Sequence, residues 1–545
     1  MKLLFTFSIL IIGVLNGLQA QVATSHDLSI QHKSNKSTQF GFDTYVNDKP
    51  LQNQQNFVIC SAFNGWLYAA YSYFDSSVNE AAATVLRSKD NGITWSMIFD
   101  ETIGWAHTSF TKLDIIAVGQ DTANLKFFLG YCVFDSISTY RNGYVARYNG
   151  NTGLPEEGIL DENSHDIRDL ALATDGLYPA ANANPFSIGV IYTKKEFDID
   201  YIVFRSSSNG GMSFDNWNTI AVTTHCFNKV DLAYGRSESF PGGRYFAVWE
   251  EKESLNNTSG HIYTAHSEPY FNSDFTSPVL LDNLDPSSFN SASNPVIACQ
   301  NSQINNDSSN FTEVVLFEKY RPGTNDFNIA GVFSKVSTAA NNFQSFNLNA
   351  SSDNILQPNI CFNPFESAFN VTCFDATHQK LPYLIHDFNM ANPDSWSVYS
   401  SGYNDNSNLV DPYPQVAVNF VTHSGVNGWI GSRPGGNGAA MFDAPLIFYT
   451  GIHGNVDPND SLQLKIFPNP ATEYTIVEFQ LQRVENVNIY IVSPLGQLLA
   501  CVTNQSFQAG KQFVRIDLAN YPVGFYILSM RVGNVLYAGK VTILR

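Results

Sequence analysis

Three aspartates and three histidines recur at comparable places in this sequence, and residues of those types at that spacing could do acid–base or metal chemistry. Asp114, Asp169 and Asp231 each open a short apolar stretch: Asp114-Ile115-Ile116, Asp169-Leu170-Ala171 and Asp231-Leu232-Ala233. Just upstream stand Trp105-Ala106-His107, Ser164-His165-Asp166 and His225-Cys226-Phe227. Paired carboxylates are the machinery of glycoside hydrolysis, one acting as acid and the other as base or nucleophile. Carboxylates also suit calcium, and mixed His/Asp sets suit zinc or another transition metal. The plainer alternative is that each Asp caps its own strand and each His decorates a loop. The sequence specifies no cofactor and leaves the metal unknown. It contains no phosphate-cradling glycine loop, nucleophile elbow, His-Glu-x-x-His or Cys-x-x-Cys.

What could bring these residues together is a repeat. Between residues 40 and 450 helix signals are nearly absent, and Gly, Asn, Ser and Pro punctuate short alternating runs of Val, Ile, Tyr and Phe, so the fold class is all-β. Seven runs place a small residue after a branched one: Val58-Ile59-Cys60, the three aspartate runs, Val296-Ile297-Ala298, Asn359-Ile360-Cys361 and Gln415-Val416-Ala417, with Ile116 the exception. Subtracting first positions gives spacings of 56, 55, 62, 65, 63 and 56 residues. Units of this length with about four strands each, arranged radially, make a β-propeller whose innermost strands crowd a central channel. Seven starts predict seven blades over 40–452. The last unit is short, and Asp27-Leu28-Ser29-Ile30 is a candidate for its missing outer strand; six blades plus a closing strand is the alternative, and two stacked β-sandwiches is a further one. Residues two apart share a face, so the first-position side chains Asp114, Asp169, Asp231, Asn359 and Gln415 point toward the channel mouth. Trp105, His107, His165, Arg168 and His225 join them as candidate ligand-binding residues, Trp105 as a flat face on which a sugar ring stacks.

Composition narrows the partners. The 545 residues are 44% hydrophobic and 14% charged, with a net charge of −19, which excludes a disordered chain and argues against nucleic acid or an anionic membrane as the main partner. Lys2, the apolar run 3–18 and Gln19-Ala20 read as a signal peptide, 1–20, cleaved before Gln21; no second apolar run follows, so no membrane span is expected after cleavage. The segment 21–39 precedes the propeller. Seven irregularly spaced cysteines do not form a disulfide framework, and Cys361 and Cys373, flanking a hairpin, either pair or remain two buried thiols. After a linker at 453–461, the last region, 462–545, carries short alternating strands and reads as a small β-sandwich of immunoglobulin-like type.

Two stretches resemble known families. Ser88-Lys89-Asp90-Asn91-Gly92-Ile93-Thr94-Trp95 resembles the Asp-box, or BNR repeat, of sialidase-like propellers, with Ser88, Asp90, Gly92, Thr94 and Trp95 at its defined positions; Ser207 to Phe214 looks like a decayed copy. That resemblance implies a propeller and places the box between outer strands, away from any active site. Sialidase activity itself requires three substrate-clamping arginines, and Phe57-Val58-Ile59-Cys60 stands where the family's Arg-Ile-Pro motif is expected; Arg168 is the only arginine immediately beside an inner-strand start. Phe467-Pro468-Asn469-Pro470-Ala471, the run Ile489 to Gly496, the run Asp517 to Tyr526 and the basic last strand resemble the type A C-terminal sorting domain of the Bacteroidetes type IX secretion system. This implies passage across the outer membrane, then release or attachment at the cell surface, with the secretion machinery as partner through 462–545. The expectation is an exported propeller that binds an extracellular ligand, a glycan or a protein, without catalysis. The alternatives are a sialidase-like glycoside hydrolase using Asp114, Asp169 and Asp231, and a structural adhesion module.

Overall fold

The computed structural model describes residues within 38–447 and 464–544, with interruptions of which the longest are 176–185, 283–290, 302–310 and 387–395. The signal peptide, nearly all of the segment 21–39 and the linker 453–461 lie outside the described residues, as do Asp27 to Ile30, Trp105 and His165. The described residues are all-β and propeller-like. Seven four-stranded antiparallel sheets follow one another through 44–443, six of them built from strands in chain order. Their first strands are Gln54–Ser61, Thr108–Val118, Leu170–Thr174, Cys226–Ser237, Ser291–Cys299, Ile355–Asn363 and Gln415–Asn419. The seventh sheet is completed from the other end of the chain: Thr44–Tyr45 pairs with Gly438–Asp443. This two-residue strand performs the closure expected of Asp27 to Ile30.

Each first strand packs against the next, and the last packs against the first. Seven apolar cores fill the seven junctions, from Val58, Tyr68, Phe110 and Phe127 between the first two sheets to Phe57, Tyr71, Val426 and Phe442 between the seventh and the first. Because every sheet is covered on both faces, strands such as Leu67–Asp75 are buried almost throughout rather than at alternate positions. Tyr71 and Tyr73 on this strand are therefore interior.

The register departs from the sequence alignment at one sheet. In most of the other first strands the second, third and fourth positions of the repeat line the channel, as Ile59, Cys60 and Ser61 or Leu232, Ala233 and Tyr234 do; in the third sheet that place is taken by Leu172, Ala173 and Thr174. Its true first position is Ala171, and Asp169 sits two residues earlier, outside the strand Leu170–Thr174. A shift of two preserves the side-chain face, so alternation could not reveal it. The first strands share a further feature just upstream: Asn56, Asn294, Gln357 and Tyr413, each two residues before a first position, take positive φ, and the first three sit at irregularities of pairing.

The Asp90 loop between the strands Glu80–Ser88 and Ser96–Ile103 is built by its own side chains. The Gly92 amide donates to Ser88 Oγ at 2.8 Å, Asp90 accepts the Thr94 amide and hydroxyl at 2.8 and 2.6 Å, and the Trp95 indole donates to the Gly92 carbonyl at 3.1 Å. Trp95 meets Phe442 of the seventh sheet edge-on at 5.4 Å, so this loop fastens the seam where the chain closes. In the second loop Asn209 substitutes for Asp90, accepting the Met212 and Ser213 amides, and Gly211 lies against Phe128 of the preceding sheet. Gly92 has φ +87, and a Cβ there would stand 1.9 Å from Phe442 Cε1. Gly92→Ala is expected to cost about 2–4 kcal/mol from strain and overpacking, while Gly323→Ala, with nothing within 4 Å, serves as a neutral control in thermal melts.

The last region forms two sheets over one core. Lys465–Phe467, Tyr474–Leu481 and Gly510–Asp517 make one; Leu498–Phe507, Glu485–Val492, Gly524–Val532 and Val535–Ile543 make the other. Phe479, Ile489, Leu528 and Ile543 are among the residues buried between them. Cys361 and Cys373 are both free, as are Cys60, Cys132, Cys226 and Cys299, which settles the proposed pairing in favour of thiols.

A second stability prediction comes from Glu313, almost fully buried on the strand Phe311–Arg321. Burial pushes its carboxyl up to about 8, against the opposing hydrogen bond donated by the Thr264 hydroxyl at 3.1 Å. A carboxyl with a raised native pKa favours folding at low pH, and that contribution is lost as pH rises from its unfolded value through about 8. Glu313→Gln is expected to match the wild type near pH 4.5 and to melt at higher temperature at pH 8.5, by a few kcal/mol at most. Parallel melting curves for the two proteins across that range would contradict this.

Candidate functional site

The channel mouth gathers the three aspartates predicted from sequence, with a lysine at their centre. Lys112 lies two residues before Asp114, and its ammonium is 3.3 Å from Asp169 Oδ1. Burial lowers the Lys112 pKa, but Asp169, Asp114 and Asp231 together outweigh that and raise it. Sequence reasoning missed Lys112, although its period-two spacing from Asp114 was a usable signal.

The carboxylates are committed to backbone amides. Asp114 accepts from Ile115 at 2.8 Å and, across the sheet junction, from Leu172 at 2.7 Å. Asp231 accepts from Leu232 at 2.9 Å and from Ile297 of the next sheet at 2.8 Å. Asp169, 1% exposed, accepts from Val230 of the next sheet at 3.1 Å. Asn359 makes the same bridge, accepting from Val416 at 2.9 Å while its amide donates to Gln415 Oε1 at 3.4 Å. These side chains join neighbouring strands that share no ladder. Burial raises the Asp114 carboxyl, opposed by Lys112, and pushes Asp231 up to about 7, opposed by the Ile297 amide and Lys112.

The remaining candidates divide. Arg168 is nearly buried and fully occupied: its guanidinium pairs with Asp166 at 3.0 Å and with Asp200, and it donates to the Phe227 carbonyl at 2.8 Å. It is a bolt between the third and fourth sheets, not a free carboxylate clamp. His107 is exposed at positive φ, its carbonyl accepting from the Ser136 amide at 3.1 Å. His225 is exposed, with Nδ1 3.0 Å from Glu251 Oε1. Tyr413 presents an exposed ring two residues before Gln415, its amide donating to Gln357 Oε1 at 2.9 Å.

A calcium or transition-metal site is one of the readings the sequence leaves open for this mouth. Among the described residues the one group of three ligand-type side chains converging within 4.8 Å lies elsewhere: Asp353, Asp375 and His378 on the sixth sheet. There His378 Nδ1 is 2.8 Å from Asp375 Oδ2, and this hydrogen bond raises the imidazole pKa.

Residues 465–544, the two-sheet region, match the family model described as a secretion system C-terminal sorting domain. The chain carries a secretion sorting domain. The protein is thus exported through type IX secretion to the cell surface or the extracellular space. None of the described helices is long and apolar enough to cross a membrane. No curated protein matches the sequence. Among solved structures, the chain is similar to a protein of unknown function from Dyadobacter fermentans, at 10% identity and TM-score 0.40 over 75% of this chain and 98% of that one. It is also similar to a GH93 α-L-arabinofuranosidase of Fusarium graminearum, at 10% identity and TM-score 0.41 over 75% and 98%. A Penicillium chrysogenum α-L-arabinanase follows at 12% identity and TM-score 0.38 over 76% and 98%.

Proposed function

We propose that the exported protein is a seven-bladed propeller, followed by an immunoglobulin-like sorting domain, and that it binds an extracellular ligand at the channel mouth without cleaving it. The observation that carries the non-catalytic reading is the commitment of Asp114, Asp169 and Asp231 to amides of the adjoining sheets, with Lys112 neutralising part of their charge. An acid–base pair needs carboxyl oxygens free to meet a glycosidic oxygen and a water or sugar carbon, whereas these are spent on holding the ring together. A glycan is the ligand class favoured here: the exposed Tyr413 ring supplies a stacking face, and the Asn359 and Gln415 amides lie along the same rim. The Ser88 to Trp95 and Ser207 to Phe214 loops, read as Asp-boxes, fix sheet junctions and take no part in binding.

The hydrolase reading keeps one observation in its favour, the separation of environments that leaves Asp231 at about 7. A glycan microarray probed with wild type and Asp231→Asn, scored for retention and for loss of terminal sugars, decides between them. Retention without loss, little changed in Asp231→Asn, is expected. Sugar loss with the wild type and none with Asp231→Asn would establish a hydrolase.

A further inference from the structure

The sorting domain is opposite in charge to the rest of the chain. Within 462–545 seven Lys and Arg stand against four Asp and Glu, whereas residues 1–461 hold 23 against 45. Three of those seven cations share one surface. Val477, Phe479 and Ile516 of the three-stranded sheet fill the core behind it, so the alternate residues Lys465, Lys511 and Arg515 are turned to solvent.

The same surface carries aromatic rings, interleaved with the charges by the register of the strands. Lys465 stands opposite Glu478 and Glu478 opposite Phe513; in the next row Phe467 stands opposite Ile476 and Ile476 opposite Arg515. Phe467, Tyr474 and Phe513 are 40%, 37% and 54% exposed. Their neighbours fix the cations beside them. Lys511 Nζ lies 2.8 Å from Glu478 Oε1 and 5.2 Å from the Phe513 ring centroid, and the Arg515 guanidinium lies 4.3 Å from that of Tyr474. A single exposed ring is ordinary, but three on one sheet face beside an ordered arginine match the make-up of a protein interface.

We propose that this face is where the folded sorting domain docks on the type IX machinery, and that the partner there is a protein surface with carboxylates around an apolar centre. The apolar centre covers Phe467 and Phe513, and the carboxylates meet Lys511 and Arg515. The sign of the charge also selects the end of the chain that is gripped. A carboxylate-rich partner is repelled by the acidic body of the chain and attracted by this domain, so it takes the protein by its C-terminal part. The inference rests on the sorting-domain match of 465–544 and is independent of what the propeller binds.

The test is export of the full chain from cells that carry the type IX machinery, scored as the fraction reaching the surface and the medium. Lys511→Glu with Arg515→Glu is expected to lower that fraction by about 10-fold or more, like charges now facing each other across the contact. Lys511→Arg with Arg515→Lys, which keeps the charge, should be exported as wild type. Arg483→Glu with Lys540→Glu changes the net charge equally at two exposed cations outside the face, and should be exported normally. Because the first variant sets a new carboxylate beside Glu478 and can loosen the sheet, Phe513→Thr is the deciding one. Threonine suits an exposed strand position, so the domain should keep its protease resistance while export falls about 3- to 10-fold. Wild-type export of Phe513→Thr, or equal retention of the Arg483 and Lys540 variant, would overturn the proposal. So would a charge-reversed chain that leaves the cell normally but divides differently between surface and medium, which would assign the face to anionic surface polysaccharide.

Discussion

Lys112→Met is expected to destabilise the propeller by about 3–5 kcal/mol, the usual cost of removing one partner from a buried ion pair. Lys112 is 29% exposed and Asp169 opposite it is 1% exposed, so their contact lies largely out of water. Without the ammonium, three aspartates face one another across two sheet junctions, held only by amides. The relief available to them is protonation. Burial already raises the Asp114 and Asp231 carboxyls, and loss of Lys112, which opposes that, raises them further, so the stability of the variant is retained at low pH and lost as pH rises through those values. Urea midpoints of the variant should therefore lie much closer to wild type at pH 5 than at pH 8, and adding Asp169→Asn should recover much of the loss. A penalty below about 1 kcal/mol that does not change with pH would place the cluster in solvent-screened surroundings.

That cluster also shows what the sequence could and could not disclose. The small third position of each repeat was legible as a period in the sequence, and Ile116, the exception, lines the channel with the others. The convergence of Asp114, Asp169 and Asp231 was legible for the same reason. Their role was not, because it depends on amides 58, 61 and 66 residues away. Arg168 was read as a candidate ligand contact since its partner Asp200 lies on a hairpin with no marker linking the two. The misplacement of Asp169 follows from the period of a strand, in which a slip of two leaves every side chain on its original face. Closure by Thr44–Tyr45 was invisible because two residues carry no alternation to detect. The sorting domain, by contrast, was legible almost throughout, since it is recognised by local turns and short strands rather than by contacts distant in sequence.

Deleting residues 535–545 is expected to abolish export while leaving the propeller folded. The strand Val535–Ile543 pairs with Gly524–Val532 over nine residue pairs and buries Val541 and Ile543 completely. It also ties the two sheets together, since the Ala471 amide donates to the Thr542 carbonyl at 2.7 Å and the Leu544 amide to the Ala471 carbonyl at 2.8 Å. Its loss exposes Leu528 and Met530 on a new sheet edge and empties one side of a core that includes Ile489 and Phe479. Among the described residues, the seven cores between the propeller sheets include none from this region. Fractionated cells should show the truncated chain retained in the envelope, with protease-resistant propeller fragments of unchanged size, and none in the medium or on the surface. Appearance of the truncated chain outside the cell would mean that the export signal resides in the remaining strands and does not require a folded sandwich. Loss of the protease-resistant fragments would show instead that the ring leans on the sorting domain, against the separation of their cores.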